Sequence, residues 1–282
     1  MKRFHGFILL SVMVLSLTTC TNKDKQNNGH LTALADTQKK DRTGKVPVFN
    51  APTEEQKQSF FKRRDEKSFV TLMDSYFYED VYGEGLAYAI IAANRFNIPK
   101  ANSYVYLLLT DFGACKALDK RTEQMAMHYI RRGISVKDEE SERIMKRVEQ
   151  NKRNSIMTEK GSVRHPQRDA SKGILETKRQ VLNGKEAYYK VLKDSFEKSP
   201  CPEGFLFYSV VMANRFGYVP ANFDVYKGLI DAYSKNHLGQ LDDETRKLAV
   251  SFLEYGAKHG DKKAIIELQK LDGSGHVSCT SK

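Results

Sequence analysis

Apolar residues along most of this chain recur at the three- and four-residue spacing of amphipathic helices, and alternating strand patterns are absent. Pro52 and Thr53 open the first such stretch, and Gln56, three residues after Thr53, completes a capping-box pattern. Phe60, Phe61, Val70, Leu72, Met73, Tyr76 and Phe77 supply its apolar face. A second helix is predicted from about Gly85 to Phe96, stopping before Pro99, with a counterpart from Gly204 to Phe216 that stops before Pro220. The proline then starts a third helix, over Ala101–Ala114 and Ala221–Tyr233, where a fixed φ and a missing donor cost nothing. Asp119 and Asp242 are natural N-caps for a fourth helix ending near Gly133 and Gly256, and Asp138 and Asp261 begin a fifth.

The punctuation recurs because the sequence does. Tyr88–Tyr106 reads YAIIAANRFNIPKANSYVY and Tyr208–Tyr226 reads YSVVMANRFGYVPANFDVY, with nine of 19 positions identical at an offset of 120. Upstream, Leu72, Asp74 and Ser75 face Leu192, Asp194 and Ser195 at the same offset. Downstream, at an offset of 123, Leu118, Asp119, Thr122, Ala126, Gly133 and Asp138 face Leu241, Asp242, Thr245, Ala249, Gly256 and Asp261. Two blocks follow, 53–150 and 173–272. The predicted fold is all-α, an α-solenoid-like helical-repeat array made of two duplicated blocks of antiparallel helices.

Helix pairs with small residues at close contacts, closing with Leu248-Ala249 to Gly256, then Gly260-Asp261 and Ala264, resemble the tetratricopeptide superfamily and most of all its Sel-like branch. The likeness covers about 242–271, more weakly 119–148. The aromatic-glycine landmarks of a strict tetratricopeptide unit are missing, and each block corresponds to two or three hairpins. The resemblance implies a right-handed superhelix whose concave face binds a partner protein.

Composition adds a compartment. Lys2 and Arg3 precede an apolar run from Phe7 to Leu17 and then Thr18-Thr19-Cys20, which reads as a signal peptide over 1–19 that is too short to span a bilayer. The junction resembles the lipobox of bacterial lipoproteins, with Thr19 where Gly, Ala or Ser is usual, and this likeness makes Cys20 the lipidated first residue. Residues 20–52 read as the lipidated cysteine and a flexible polar tether, and 273–282 as a disordered tail. The expected location is the cell envelope, facing the periplasm or the cell surface, with the lipid as the membrane contact.

The formal charge of +11 falls to +9 when Lys2 and Arg3 are removed with the signal. Residues 143–179 hold eleven Lys and Arg against four Asp and Glu, so most of the charge sits between the blocks. Arg147, Lys152, Arg153, Lys160, Arg164 and Arg168 mark it, and 151–172 reads as a basic flexible linker suited to anionic headgroups or an acidic protein. Export argues against nucleic acid as a partner.

No catalytic motif is found: the nucleophile elbow, the zinc-protease helix motif, the P-loop and the dinucleotide fingerprint are missing from the sequence. Two S-x-x-K matches, Ser59–Lys62 and Ser195–Lys198, are at chance level, and His128, His165, His237, His259 and His276 lack metal-ligand spacing. No metal, cofactor or small-molecule substrate is expected. The repeated Asn-Arg-Phe is the sharpest binding candidate: Asn94, Arg95, Asn214 and Arg215 can present forked hydrogen bonds to an acidic or amide-rich partner in a groove. Alternatively the arginines cap carbonyls and the asparagines serve the turn.

The sequence therefore predicts a non-catalytic, envelope-anchored lipoprotein that mediates protein–protein interaction. A specific version is an immunity or inhibitor protein neutralising an envelope-acting toxin. The competing class is an envelope enzyme such as a peptidoglycan hydrolase with carboxylates in the inter-block cleft, against which no acids pair at equivalent places in the two blocks. A structural subunit of an outer-membrane assembly is the third reading.

Overall fold

The capping box at Thr53 is formed: its hydroxyl accepts the Gln56 N–H at 3.2 Å and the Gln56 side chain accepts the Thr53 N–H at 2.8 Å. A computed structural model describes residues 52–77, 82–110, 118–154, 173–199 and 201–273, all within the contact unit Phe49–Lys282. Helix α1 (Glu54–Arg63) is short because Arg64 turns left-handed, at φ 55°. Asp65 then accepts the Ser68 N–H at 2.8 Å and opens α2 (Glu66–Phe77). The apolar stretch read as one helix is thus two, and the Asp65-x-x-Ser68 cap is the local signal that divides it.

A three-ten turn (Tyr82–Gly85) leads into α3 (Leu86–Asn94), α4 (Pro99–Thr110), α5 (Lys120–Ser135) and α6 (Glu139–Asn154). The second half runs α7 (Ile174–Leu182), α8 (Glu186–Glu197), a three-ten turn (Pro202–Gly204), α9 (Phe205–Arg215), α10 (Val219–Lys235), α11 (Asp243–Lys258) and α12 (Lys262–Gly273). Among the described residues there are twelve α-helices and no strand, so the chain is all-α there. The starts of α8, α11 and α12 are those of α2, α5 and α6 displaced by 120, 123 and 123 residues.

The turns recur with them. Asn97 and Gly217 both take positive φ after α3 and α9, as do Lys137 and Gly260 after α5 and α11. The first half tolerates the left-handed backbone with side chains present, whereas the second uses glycine, for which it is cost-free. Asp138 and Asp261 donate their N–H groups to the carbonyls of Gly133 and Gly256, each at 2.9 Å. Helices α5 and α11 end two residues beyond those glycines, at Ser135 and Lys258, close to the predicted ends. The role of the glycines is close packing: a Cβ at 133 would meet Ser141, and one at 256 would meet Asn222 and Ala264.

Helices α3 and α9 form the middle of the molecule. Every residue of α3 is buried, and eight residues of α9 are; a helix apolar on all sides has no face to give to water and is stable only inside a core. α3 packs on α9 and on α11, and α9 packs on α5, so one hydrophobic cluster holds Phe60, Tyr88 and Ile91 together with Phe207, Tyr208 and Tyr233. Among the described residues no helix is long and apolar enough to cross a membrane.

The basic segment is only partly described. Helix α6 carries the backbone through Lys152 and Arg153 to Asn154, so the predicted linker begins as helix. Arg147 pairs on that helix with Glu140 at 3.0 Å, in solvent. Lys160, Arg164 and Arg168 lie outside the described residues, as do Cys20, the signal peptide, the tether through Ala51 and the tail beyond Gly273.

Candidate functional site

Where the two halves meet, each gives a carboxylate to the other. Lys57 of α1 pairs with Glu203 at 3.1 Å, and the hydroxyl of Tyr88 donates to the same oxygen. In the opposite sense Lys178 of α7 pairs with Glu84 at 2.5 Å, and Tyr208 donates to it at 2.9 Å. Lysines, glutamates and tyrosines correspond at offsets of 121, 119 and 120, so this is one reciprocal motif made twice. Glu84 and Glu203 thus stand at equivalent places, one residue before Gly85 and Gly204, where the sequence reading had found no acids pairing. The glutamates reach across because the three-ten turns carry glycine: a Cβ at Gly83 would lie 2.6 Å from the Phe207 ring, and one at Gly204 would lie 3.2 Å from the Glu84 Cβ.

Burial opposes the charge on Lys57, but Glu203 and then Cys201 outweigh it and leave the ammonium above its ordinary value. The folded chain thus holds this proton more tightly than the unfolded chain. The contribution is complete below the unfolded lysine value of about 10.4 and is lost as pH rises through the folded value. Urea midpoints measured across this range are expected to fall above pH of about 10.4, with a shallower fall in Lys57→Met; equal slopes in both proteins would remove this role for Lys57.

At the C-terminal ends of α3 and α9, helices α5 and α11 wall a cleft of about 380 Å³. Its lining is matched position for position. Asn94 and Asn214 form part of the floor with Met125 and Leu248, and Tyr129 faces Phe252. Arg121 is matched by Glu244, Gln124 by Lys247, and His128 by Ser251, at an offset of 123. The caps set this geometry. Asp119 and Asp242 accept the N–H groups of Thr122 and Thr245, at 2.8 and 2.9 Å, and those threonines receive the asparagines of the opposite half. Asn94 donates to Thr245 at 3.1 Å, and Asn214 to Thr122 at 3.4 Å.

The two asparagines differ in what else they meet. Asn94 also donates to the Tyr129 hydroxyl at 3.0 Å and accepts from Arg132, so its amide is fully used. At the corresponding places beside Asn214 the chain has Phe252, without a hydroxyl, and Tyr255 in place of Arg132. The Asn214 Oδ1 is accordingly buried with no hydrogen-bond partner. Tyr255 instead lies under the Arg121 guanidinium, 3.8 Å from ring centre to Cζ, with Phe252 at 4.9 Å. Both terminal nitrogens of Arg121 grip Asn222 Oδ1 at 3.2 Å. Burial pulls the guanidinium below its ordinary value against Tyr255 and Asp119.

Of the four residues in the predicted Asn-Arg site, the cleft collects Asn94 and Asn214 and excludes their arginines. Arg95 is exposed and donates to the Leu238 carbonyl at 3.2 Å; Arg215 lies 5.5 Å from the Phe216 ring centre. Arg121 was missed, since on its own helix it reads as a first-turn surface residue and only the Asn222 and Tyr255 contacts from the other half reveal its setting. His128 faces Glu244 across the cleft at 3.9 Å, His259 stacks on Tyr255, and Ser195 donates to the Val191 carbonyl. Among the described residues no group of three or more His, Cys, Asp or Glu is placed to hold a metal ion. Cys201 is buried as a free thiol beside Glu203; Cys115 and Cys279 lie outside the described residues. No family model, curated protein or solved structure gives a significant match to this chain.

Proposed function

We propose that this chain is an exported, lipid-anchored helical-repeat protein of two duplicated blocks, and that it recognises a partner protein through the cleft between α5 and α11 without catalysing a reaction. The cleft carries the reading: it is lined by corresponding positions of both blocks, and its rim residues Gln124, His128, Lys247 and Ser251 are exposed. The recurrence of helix order and turn geometry supports duplication, and the glycine and alanine contacts between α11 and α12 support the tetratricopeptide-like packing. The anchor is Cys20, which tethers the recognition unit at the envelope through the polar segment behind it.

Binding is favoured over hydrolysis by the state of the paired acids. Glu84 and Glu203 face the interface, and each already holds a lysine and a tyrosine. A catalytic carboxylate pair needs room for substrate and water.

Ser251→Trp fills the cleft from an exposed position on α11. The expectation is that it leaves the melting temperature within a few degrees while reducing capture of the partner from envelope extract at least about tenfold, whereas Glu254→Trp, on the same helix outside the lining, changes neither. Undiminished capture by Ser251→Trp would place recognition elsewhere.

A further inference from the structure

The two ends of the cleft are chemically unequal, and the inequality identifies what the cleft takes. At one end Glu244 meets Lys247 at 3.1 Å and faces His128, so its charge is compensated. At the other, Arg121 is half-buried, its direct contacts are the neutral Asn222 amide and two aromatic rings, and the nearest opposing charge, Asp119, is occupied in capping α5. No carboxylate among the described residues forms an ion pair with it. A guanidinium lying over Tyr255 and gripped at its fork by Asn222 is fixed in place, with N–H donors beyond the two that Asn222 takes. Removing such a cation from water without a directly paired anion costs free energy that a bound carboxylate recovers.

The same end holds the second irregularity. The carbonyl of Asn214 lacks a partner because Tyr255 stands where the other half has Arg132, the donor to the Asn94 carbonyl. Interchanging the amide's oxygen and nitrogen lets Oδ1 accept from Thr122, and the orphan then becomes an N–H; either way one end of this amide is unpaired. An amide-bearing ligand satisfies it in both orientations once the side chain turns toward the cleft, since a peptide group both donates and accepts. Met125, Leu248 and Phe252 offer an apolar bed for the intervening methylenes.

The geometry points to an acidic peptide residue as the ligand of this end of the cleft: its carboxylate on the Arg121 guanidinium and its backbone amide at Asn214. This rests on the reading of the cleft as a recognition site and specifies its chemistry. Such a residue fits the mixed lining better than a free inorganic anion, which leaves the Asn214 amide and the apolar bed unused.

The test uses the purified full-length protein and two isosteric probes, acetyl-Glu-amide and acetyl-Gln-amide, followed by backbone amide shifts of α5, α9 and α11, with inorganic phosphate as a third titrant. The expected result is that acetyl-Glu-amide shifts the amides around Arg121, Asn214 and Phe252, and that acetyl-Gln-amide binds there about tenfold more weakly or worse, the loss of one charge-assisted bond. Arg121→Gln, which keeps a donor for Asn222, should bring the two probes to equal affinity. Arg121→Lys, which keeps the charge and loses the fork, should weaken acetyl-Glu-amide while still favouring it over the neutral probe. Melting curves of both variants confirm that the cleft is intact. Equal binding of the two probes to the unaltered protein overturns the carboxylate assignment and leaves the cleft as a recognition site. Phosphate binding as tightly as acetyl-Glu-amide also overturns it, in favour of an unspecific anion site. Absence of shifts in the cleft with any probe overturns it as well, and Ser251→Trp capture then decides separately whether the cleft is a recognition site.

Discussion

Glu203→Ala is expected to destabilise the protein by about 3 to 5 kcal/mol, the usual effect of removing one partner from a buried ion pair. The Glu203 and Lys57 side chains are 5% and 9% exposed, so water is not at hand to replace the carboxylate. The substitution strips two groups at once, the Lys57 ammonium and the Tyr88 hydroxyl. Glu203→Gln, which still accepts from Tyr88 and loses only the charge, should cost less. Replacing both members, Lys57→Met with Glu203→Leu, should cost less than Glu203→Ala alone, because no buried charge is then left over. The pair bridges the two halves and their core is continuous, so the loss is expected in one cooperative urea transition seen identically by probes in either half. Two separable transitions, or a shift below about 1 kcal/mol, would show that the bridge is incidental.

Gly133→Ala is expected to cost about 2 to 4 kcal/mol, more than the usual penalty for one extra methylene in a packed core. Alanine favours a helix interior over glycine by about 1 kcal/mol, so propensity alone predicts a gain. Packing decides otherwise: the added Cβ would stand 2.0 Å from Ser141 Oγ and 2.7 Å from Ser141 Cβ. Ser141 is fully buried and held to Asp138, which caps α6 through the Ser141 N–H, so it cannot move without breaking the start of that helix. Gly256→Ala is the internal control. There the nearest atoms are Asn222 Cβ at 3.2 Å and Ala264 Cβ at 3.3 Å, a tightness that a shift of a few tenths of an ångström relieves. Its net effect should lie within about 1 kcal/mol of zero. A comparison of thermal unfolding in the two variants checks both, and equal destabilisation would contradict the packing account.

Much of the helix order was legible in the sequence because local signals punctuate it. The Thr53 capping box, the Asp119 and Asp242 caps and the prolines in the first turns of α4 and α10 act through neighbouring backbone groups, and their effects stay within a turn or two. The division of the first apolar stretch at Arg64 was missed because a left-handed arginine carries no sequence mark of the kind glycine gives at 184. The central position of α3 and α9 was implicit in their unbroken apolar runs, YAIIAA and FLFYSVV.

The site was legible only in part, for a geometric reason. The Asn-Arg-Phe repeat drew attention to the right turn, and Asn94 and Asn214 do line the cleft, but consecutive residues on a helix point about 100° apart, so Arg95 and Arg215 leave it. Arg121 has meaning only through Asn222 and Tyr255, residues more than a hundred positions away. The Glu84 and Glu203 pair lies at an offset of 119, between stretches that align at 120, and its acids gain meaning only through the lysines and tyrosines they meet across the halves.

The central claim is that the cleft between α5 and α11 is where this protein meets its partner. The most direct measurement places a photoreactive benzoylphenylalanine at position 251, in the cleft, and separately at position 254, three residues further along the same helix and outside the lining, and irradiates each in cells that express the protein. The account predicts a discrete adduct from 251 that is absent from 254 and is competed by the unlabelled protein. Adducts of equal yield from both positions, or from 254 alone, would contradict it.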